Sequence, residues 1–79
     1  MSDTIFRDYR GVGCPMNFAR ITMELIDMPL GAKLHVLLDT ETEIASVSRS
    51  LVRDGQTVLA SNPEKHYWSI IIQKSVDYV

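Results

Sequence analysis

Residues 10–18, RGVGCPMNF, contain the only cysteine of this 79-residue chain. Cys14 follows Gly11 and Gly13 and precedes Pro15, a residue that favours the first turn of a helix. A cysteine at a helix start meets unpaired backbone N–H groups and the positive end of the helix dipole, and both stabilise a thiolate. The thiolate is the nucleophilic form of cysteine, so this pattern predicts a reactive Cys14.

The alternative interpretation is that Cys14 is buried, because free cysteines usually pack as small apolar residues. Two features favour the reactive interpretation. The flanking glycines leave the sulfur sterically open, and Arg10 adds positive charge four residues before it. The two interpretations differ in the exposure that they predict for Cys14.

A single cysteine restricts the reactions and binding sites that the chain can support. One cysteine forms neither an internal disulfide nor a Cys-x-x-Cys redox pair. A Cys–His hydrolase needs a base beside the thiol, and nothing in the sequence ties His35 or His66 to Cys14. Too few soft ligands are available for a structural zinc site, so we expect no metal and no cofactor. The chemistry that remains is carriage of a sulfane sulfur as a persulfide, Cys–S–SH, with release to a thiolate on another protein.

Hydrophobic periodicity places Cys14 between a strand and a helix. Residues 4–9, TIFRDY, are rich in strand-forming types. After Pro15, apolar residues recur at helical spacing until Pro29 and Gly31 end the pattern. This stripe comprises Phe18, Ile21, Thr22, Leu25, Ile26 and Met28, and Met16 and Met23 are also interpreted as core residues.

The second half of the chain repeats this alternation. Residues 33–39 read as a buried strand, and a second helix begins after Thr40 or Thr42 and stops near Gly55. Its apolar face comprises Ile44, Val47, Leu51 and Val52. Residues 56–61 and 67–74 are two further strands, and the intervening SNPEKH reads as a turn. On the last strand we expect Trp68, Ile70 and Ile72 to face the core.

The predicted order is β-α-β-α-β-β within one domain, residues 1–79. Crossover helices favour parallel pairing of the strands around them, and the last two strands form an antiparallel hairpin. The fold class is α+β: a two-layer α/β sandwich with a four-stranded mixed sheet and two helices on one face. Three apolar residues are assigned to the open face as possible docking or dimerisation contacts: Leu37, Leu59 and Ile71.

Composition excludes several classes of protein. The chain is 46% hydrophobic and 23% charged, with a net charge of −2. That charge argues against direct nucleic-acid binding, which depends on Lys and Arg contacts to phosphates. No apolar run approaches the roughly 20 residues of a membrane span, and the charged N-terminus is unlike a signal peptide. We therefore expect a cytoplasmic protein that does not insert into membranes.

The segment DYRGVGCP, residues 8–15, resembles the Asp-x-Arg-Gly-x-x-Cys-Pro signature of TusA/SirA-like sulfur carrier proteins. The similarity continues through GAKLHVLLDTE, IASVSRSLVRDG and IIIQK, and so covers nearly the whole chain. It implies a persulfide on Cys14, which acts as the catalytic residue within a supporting motif: Asp8, Arg10, Gly11 and Pro15. It also implies a donor, a cysteine desulfurase or rhodanese-like protein, and an acceptor protein in tRNA thiolation, cofactor synthesis or sulfur oxidation.

The chain departs from the family's usual Cys-Pro-x-Pro, because Asn17 replaces the second proline. A related branch resembles CPMNF in carrying Cys-Pro-x-Asn followed by Phe. Asn17 can lie in the first helical turn and form a hydrogen bond that proline could not, so we include it in the supporting motif. The sequence leaves donor, acceptor, pathway and oligomeric state open.

Two other functions stay open. The same scaffold would serve as a non-catalytic protein-interaction or regulatory module in which Cys14 is dispensable. RNA binding is a weaker alternative, which a steep salt dependence of affinity would reveal.

Overall fold

The computed structural model describes residues 4–78. It contains six elements in the expected order β-α-β-α-β-β. They are β1 (Thr4–Asp8), α1 (Met16–Asp27), β2 (Lys33–Leu38), α2 (Glu41–Arg53), β3 (Thr57–Pro63) and β4 (Trp68–Gln73).

The four strands form one mixed sheet in the order β1-β2-β4-β3. β1 and β2 pair in parallel, whereas β4 is antiparallel to both β2 and β3. Parallel pairing was expected around both helices and is found only around α1, because β4 lies between β2 and β3. The parallel arrangement of β1 and β2 brings their carboxyl ends to the same edge of the sheet, next to the cysteine.

Both helices cover the same face of this sheet. Alternate residues of β2 and β4, among them Val36 and Ile70, are fully buried there. They share one apolar cluster with Ile21 of α1 and Leu51 of α2. Burial of each such side chain contributes about 2 kcal/mol. The predicted α+β sandwich is therefore confirmed, with both helices on one face.

The helix α2 begins with a reciprocal cap. Thr40 is the N-cap: its Oγ1 accepts a hydrogen bond from the Glu43 N–H at 3.2 Å, and Glu43 Oε1 accepts from the Thr40 N–H at 3.3 Å. Such a capping box satisfies two N–H groups that the helix leaves unpaired. Of the two predicted caps, Thr40 is correct and Thr42 is wrong.

The apolar faces of the helices are narrower than predicted. Met16, Met23 and Ile26 of α1 are at least half exposed, and Val52 of α2 is 60% exposed. Of the methionines interpreted as core residues, only Met28 is buried. The reason is that a two-layer fold covers each helix on one side alone, so apolar residues beyond that stripe remain in solvent. Neither helix within residues 4–78 has the length and apolar character needed to cross a membrane.

Strand β3 extends further than the predicted residues 56–61. It includes Asn62 and Pro63, which were interpreted as part of a turn; the turn itself follows, closed by a hydrogen bond from the Glu64 N–H to the Tyr67 carbonyl at 2.8 Å. Proline lacks an N–H group and is tolerated at the edge of a sheet. β3 is an edge strand, so Pro63 does not break it.

Candidate functional site

Residues 9–15 connect β1 to α1 and form what we term the Cys14 loop. Cys14 is exposed, and its thiol forms no hydrogen bond within the described range 4–78. Pro15 is the N-cap of α1, so Cys14 lies two residues before the first helical residue, Met16. The Cys14–Pro15 peptide bond is cis. The buried-thiol interpretation is wrong, and the sulfur is open to reaction partners.

The start of α1 does not leave its backbone N–H groups free for the sulfur. The Asn17 N–H donates to the Gly13 carbonyl at 2.9 Å, and the Phe18 N–H donates to Asn17 Oδ1 at 2.6 Å. These are two of the N–H groups that the sequence pattern assigned to Cys14, and that expectation is wrong for them. From the sequence, Asn17 was expected to form a hydrogen bond in the first turn, but the Phe18 N–H was not identified as the group that it would pair.

The two glycines of the loop are required by backbone conformation. Gly11 and Gly13 have φ values of +82° and +79°, a left-handed region that residues with a Cβ rarely adopt. A Cβ at either position would meet no atom within 4 Å. The surrounding space is therefore open, which is consistent with the exposure of the neighbouring thiol.

Arg10 is paired and does not supply free positive charge. Its Nε and Nη2 donate to the two carboxylate oxygens of Asp8 at 2.9 and 2.6 Å. Its guanidinium carbon also lies 4.7 Å from the ring centroid of Tyr67, a cation–π distance. The hydrogen bonds from Arg10 lower the pKa of Asp8 to about 2, and the same bonds raise the pKa of Arg10. The expectation that Arg10 adds positive charge for Cys14 is therefore corrected, because the guanidinium is hydrogen-bonded to Asp8 and in cation–π contact with Tyr67.

Residues 39–43 comprise the two-residue link between β2 and α2 and the first turn of α2, and we term them the β2–α2 corner. This corner contacts the Cys14 loop and the first turn of α1 that follows the loop. The Gly11 N–H donates to Asp39 Oδ2 at 2.7 Å. Asn17 Nδ2 donates to Glu43 Oε2 at 3.3 Å, and Asn17 is fully buried. Sequence reasoning missed Asp39 and Glu43 as neighbours of the site. They could have been found from the sequence, because Asp39 directly follows a strand expected to pair in parallel with β1. The carboxyl ends of the two strands then lie at the same edge of the sheet.

The two histidines lie apart from this arrangement. His35 packs edge-to-face against Phe6, with ring centroids 5.3 Å apart, and both residues belong to the sheet face that the helices leave open. His66 is exposed in the turn between β3 and β4. Within residues 4–78 no group of three His, Cys, Asp or Glu side chains is arranged to hold a metal ion, and the surface of this range has no pocket.

Comparison with known proteins agrees with the motif. The chain matches the family described as "Sulfurtransferase TusA" over residues 5–74, a range that includes the Cys14 loop and the β2–α2 corner. It is also 38% identical over 69 residues to a protein of Archaeoglobus fulgidus named "Putative sulfur carrier protein", an alignment covering 85% of this chain and 77% of that protein. The resemblance drawn from the motif is confirmed, and the chain belongs to the sulfurtransferase TusA family.

Proposed function

We propose that this protein accepts a sulfane sulfur on Cys14 as a persulfide and passes it to a partner protein. The observation that carries the proposal is an exposed thiol with no hydrogen-bond partner among residues 4–78, held in a glycine loop before α1, in a member of the sulfurtransferase TusA family. An exposed sulfur suits a carrier because the partner's reacting group must approach it directly. Cys14 has no second cysteine to resolve its persulfide within the chain.

Both steps of the relay are thiol exchanges. In loading, the Cys14 thiolate attacks a sulfane sulfur of the donor, a Cys14 S–S bond forms, and the donor's S–S bond breaks with departure of the donor thiolate. In release, an acceptor thiolate attacks the outer sulfur of Cys14–S–SH, and Cys14 leaves as a thiolate. Sulfur is transferred without net oxidation or reduction, so the relay needs no redox cofactor.

The supporting motif would hold the loop in place during these steps. Asp8 and Arg10 brace its start through their paired hydrogen bonds. Gly11 supplies the left-handed turn, Pro15 occupies the N-cap position of α1, and Asn17 is buried and hydrogen-bonded to Glu43. In this proposal only Cys14 touches the transferred sulfur, and the other motif residues position it.

The partners follow from the family resemblance. We propose a cysteine desulfurase or a rhodanese-like protein as donor, and an acceptor protein that serves tRNA thiolation, cofactor synthesis or sulfur oxidation. We also propose that the relay operates in the cytoplasm, where a thiol is kept reduced between transfers.

Intact mass spectrometry tests the sulfur-carrying step. The protein is incubated with inorganic polysulfide, freed of excess reagent and weighed, and we expect a gain of one sulfur atom that a reducing thiol removes. Treatment with iodoacetamide should then add one alkyl group to the sulfur-bearing protein. Cys14→Ser is the control: it should gain no sulfur, since the chain has no other cysteine.

Two results would contradict the proposal. One is the absence of any reducible mass gain in the wild-type protein. The other is full biological activity of the Cys14→Ser variant in cells, which would assign the chain to the non-catalytic interaction or regulatory class.

A further inference from the structure

The Cys14 loop and the first turn of α1 that follows it are both hydrogen-bonded to the β2–α2 corner. At the start of the loop, the Gly11 N–H donates to Asp39 Oδ2 at 2.7 Å. Just beyond its end, Asn17 Nδ2 donates to Glu43 Oε2 at 3.3 Å. The segment that bears the reactive sulfur is therefore fixed on either side by two carboxylates that lie only four residues apart.

In the second contact, both side chains are also held by other hydrogen bonds. Asn17 is fully buried, and its Oδ1 accepts from the Phe18 N–H, so its amide has a fixed direction. Glu43 uses Oε1 for the N–H groups of Asp39 and Thr40, at 3.1 and 3.3 Å, which leaves Oε2 for Asn17. One carboxylate thus joins the first turn of α2 to the first turn of α1.

We propose that Asp39 and Glu43 are positioning residues for sulfur transfer. In this proposal Asn17, through its hydrogen bond to Glu43, helps to fix the position of the Cys14 thiol. This inference rests on the proposed persulfide function. A loop with two glycines has wide conformational freedom, and the two ties restrict it. Thiol exchange requires the attacking sulfur and the S–S bond to be aligned, so restriction of the loop raises the rate of transfer.

The first test compares two substitutions of Asp39 that remove the same charge. Asp39→Asn keeps an oxygen that accepts from the Gly11 N–H, whereas Asp39→Ala has none. The readout is the rate constant for loading of Cys14 by inorganic polysulfide, measured at several pH values. We expect the plateau rate of Asp39→Ala to fall roughly tenfold and Asp39→Asn to restore most of that loss.

This pair separates positioning from simple electrostatics. If Asp39 acted only through its negative charge, both variants would react faster than wild type at neutral pH and by the same factor. Their pH profiles would also shift together to lower pH. Either result would overturn the proposal.

The second test reverses the direction of one hydrogen bond. Asn17→Asp alone places two carboxylates face to face, and Glu43→Gln alone places two amide N–H groups face to face. We expect each single variant to load sulfur roughly tenfold more slowly. In the double variant the introduced carboxylate accepts from the introduced amide, the bond re-forms, and net charge equals that of wild type. Loading should recover in the double variant.

Ile72→Val is the matched structural control. Ile72 is fully buried in β4, so the substitution lowers the thermal midpoint, but it changes no residue of either tie to the loop. We expect its loading rate to equal that of wild type. If Ile72→Val slowed loading as much as Asp39→Ala, or if the double variant failed to recover while still folded, the corner would have a merely structural role. Absence of loading in the wild-type protein would instead refute the proposed function itself.

Discussion

At the scale of single residues, the motif works through paired charges and fixed backbone angles. Arg10 stands four residues before Cys14, and its two hydrogen bonds to Asp8, with its cation–π contact to Tyr67, occupy its guanidinium. The motif aspartate and arginine therefore brace the turn that precedes the sulfur. This pairing was not predicted from the sequence, where the charge of Arg10 was assigned to Cys14. The contribution of Tyr67 depends on the β3–β4 turn and could not be predicted locally.

The Asp8–Arg10 pair makes a prediction about acid titration. Hydrogen bonds from Arg10 lower the pKa of Asp8 from 3.8 to about 2. A carboxylate whose pKa is lower in the folded state stabilises the fold above its unfolded pKa, and this contribution is lost as pH falls through the folded value. We expect NMR-monitored titration to give a midpoint of about 2 for Asp8. Arg10→Gln should raise that midpoint towards 3.8.

The matched control for this titration is Arg49→Gln. Arg49 is exposed on α2 and belongs to no contact with Asp8, so its loss should leave the Asp8 midpoint unchanged. A wild-type midpoint near 3.8 would show that the pair does not persist in solution.

At the scale of elements, the end of α1 opposite the cysteine is fixed by a buried lysine. Lys74 is 2% exposed, and its Nζ donates to the carbonyls of Met28 and Ile26 at 2.7 and 3.2 Å. A cation at a helix C-terminus satisfies unpaired carbonyl groups and interacts favourably with the helix dipole. Asp77, 66% exposed, lies 3.2 Å from the same Nζ.

These contacts predict that Lys74 stabilises the fold far more than its exposed partner does. Lys74→Met removes the donors from two carbonyls in a buried setting, and we expect the free energy of unfolding to fall by about 2 kcal/mol. Asp77→Asn should change it by no more than about 0.5 kcal/mol, because the carboxylate is in solvent. Urea unfolding at neutral pH measures both values, and equal effects of the two substitutions would contradict this account.

Periodicity predicted the elements well and their edges poorly. The six elements and their order follow from the sequence, and the strand that was expected to be buried, β2, has Leu34, Val36 and Leu38 fully buried. The errors lie where the outcome depends on neighbours in space. Val52 illustrates this, because its exposure depends on how far the sheet extends under α2. Pro63 is a second example, because it is tolerated in β3 only since that strand lies at the edge of the sheet.

For the candidate site as well, local features were predictable from the sequence and contacts between distant residues were not. The exposure of Cys14 and the presence of Asn17 in the first turn of α1 were predictable, because both follow from local chain geometry. The contacts to Asp39 and Glu43 were not, since they join residues 28 and 26 positions apart. Such contacts require knowledge that β1 and β2 are adjacent and parallel. Sequence reasoning had inferred the parallel pairing but had not followed it to the residues beyond each strand end.

At the scale of the whole molecule, the fold separates a buried core from an exposed rim that bears the cysteine. Burial is concentrated between the helices and one sheet face, where Ile70 and Ile72 of β4 are fully enclosed. Cys14 lies at the rim, beyond the carboxyl end of β1, and contributes no side-chain contact to that cluster. Because Cys14 is not part of the apolar cluster, its exposure costs the fold little stability.

This separation predicts that stability and sulfur transfer respond to different residues. Ile70→Ala should lower the free energy of unfolding by about 3 kcal/mol, because it opens a cavity between the sheet and the helices. Ile71→Ala is the matched control on the opposite sheet face and should cost about 1 kcal/mol. Cys14→Ser should change stability by no more than about 0.5 kcal/mol while abolishing sulfur uptake.

Urea unfolding followed by the fluorescence of Trp68, the only tryptophan, measures the stability of all three variants. If Cys14→Ser were as destabilising as Ile70→Ala, the thiol would be a packing residue and the division between core and rim would be wrong.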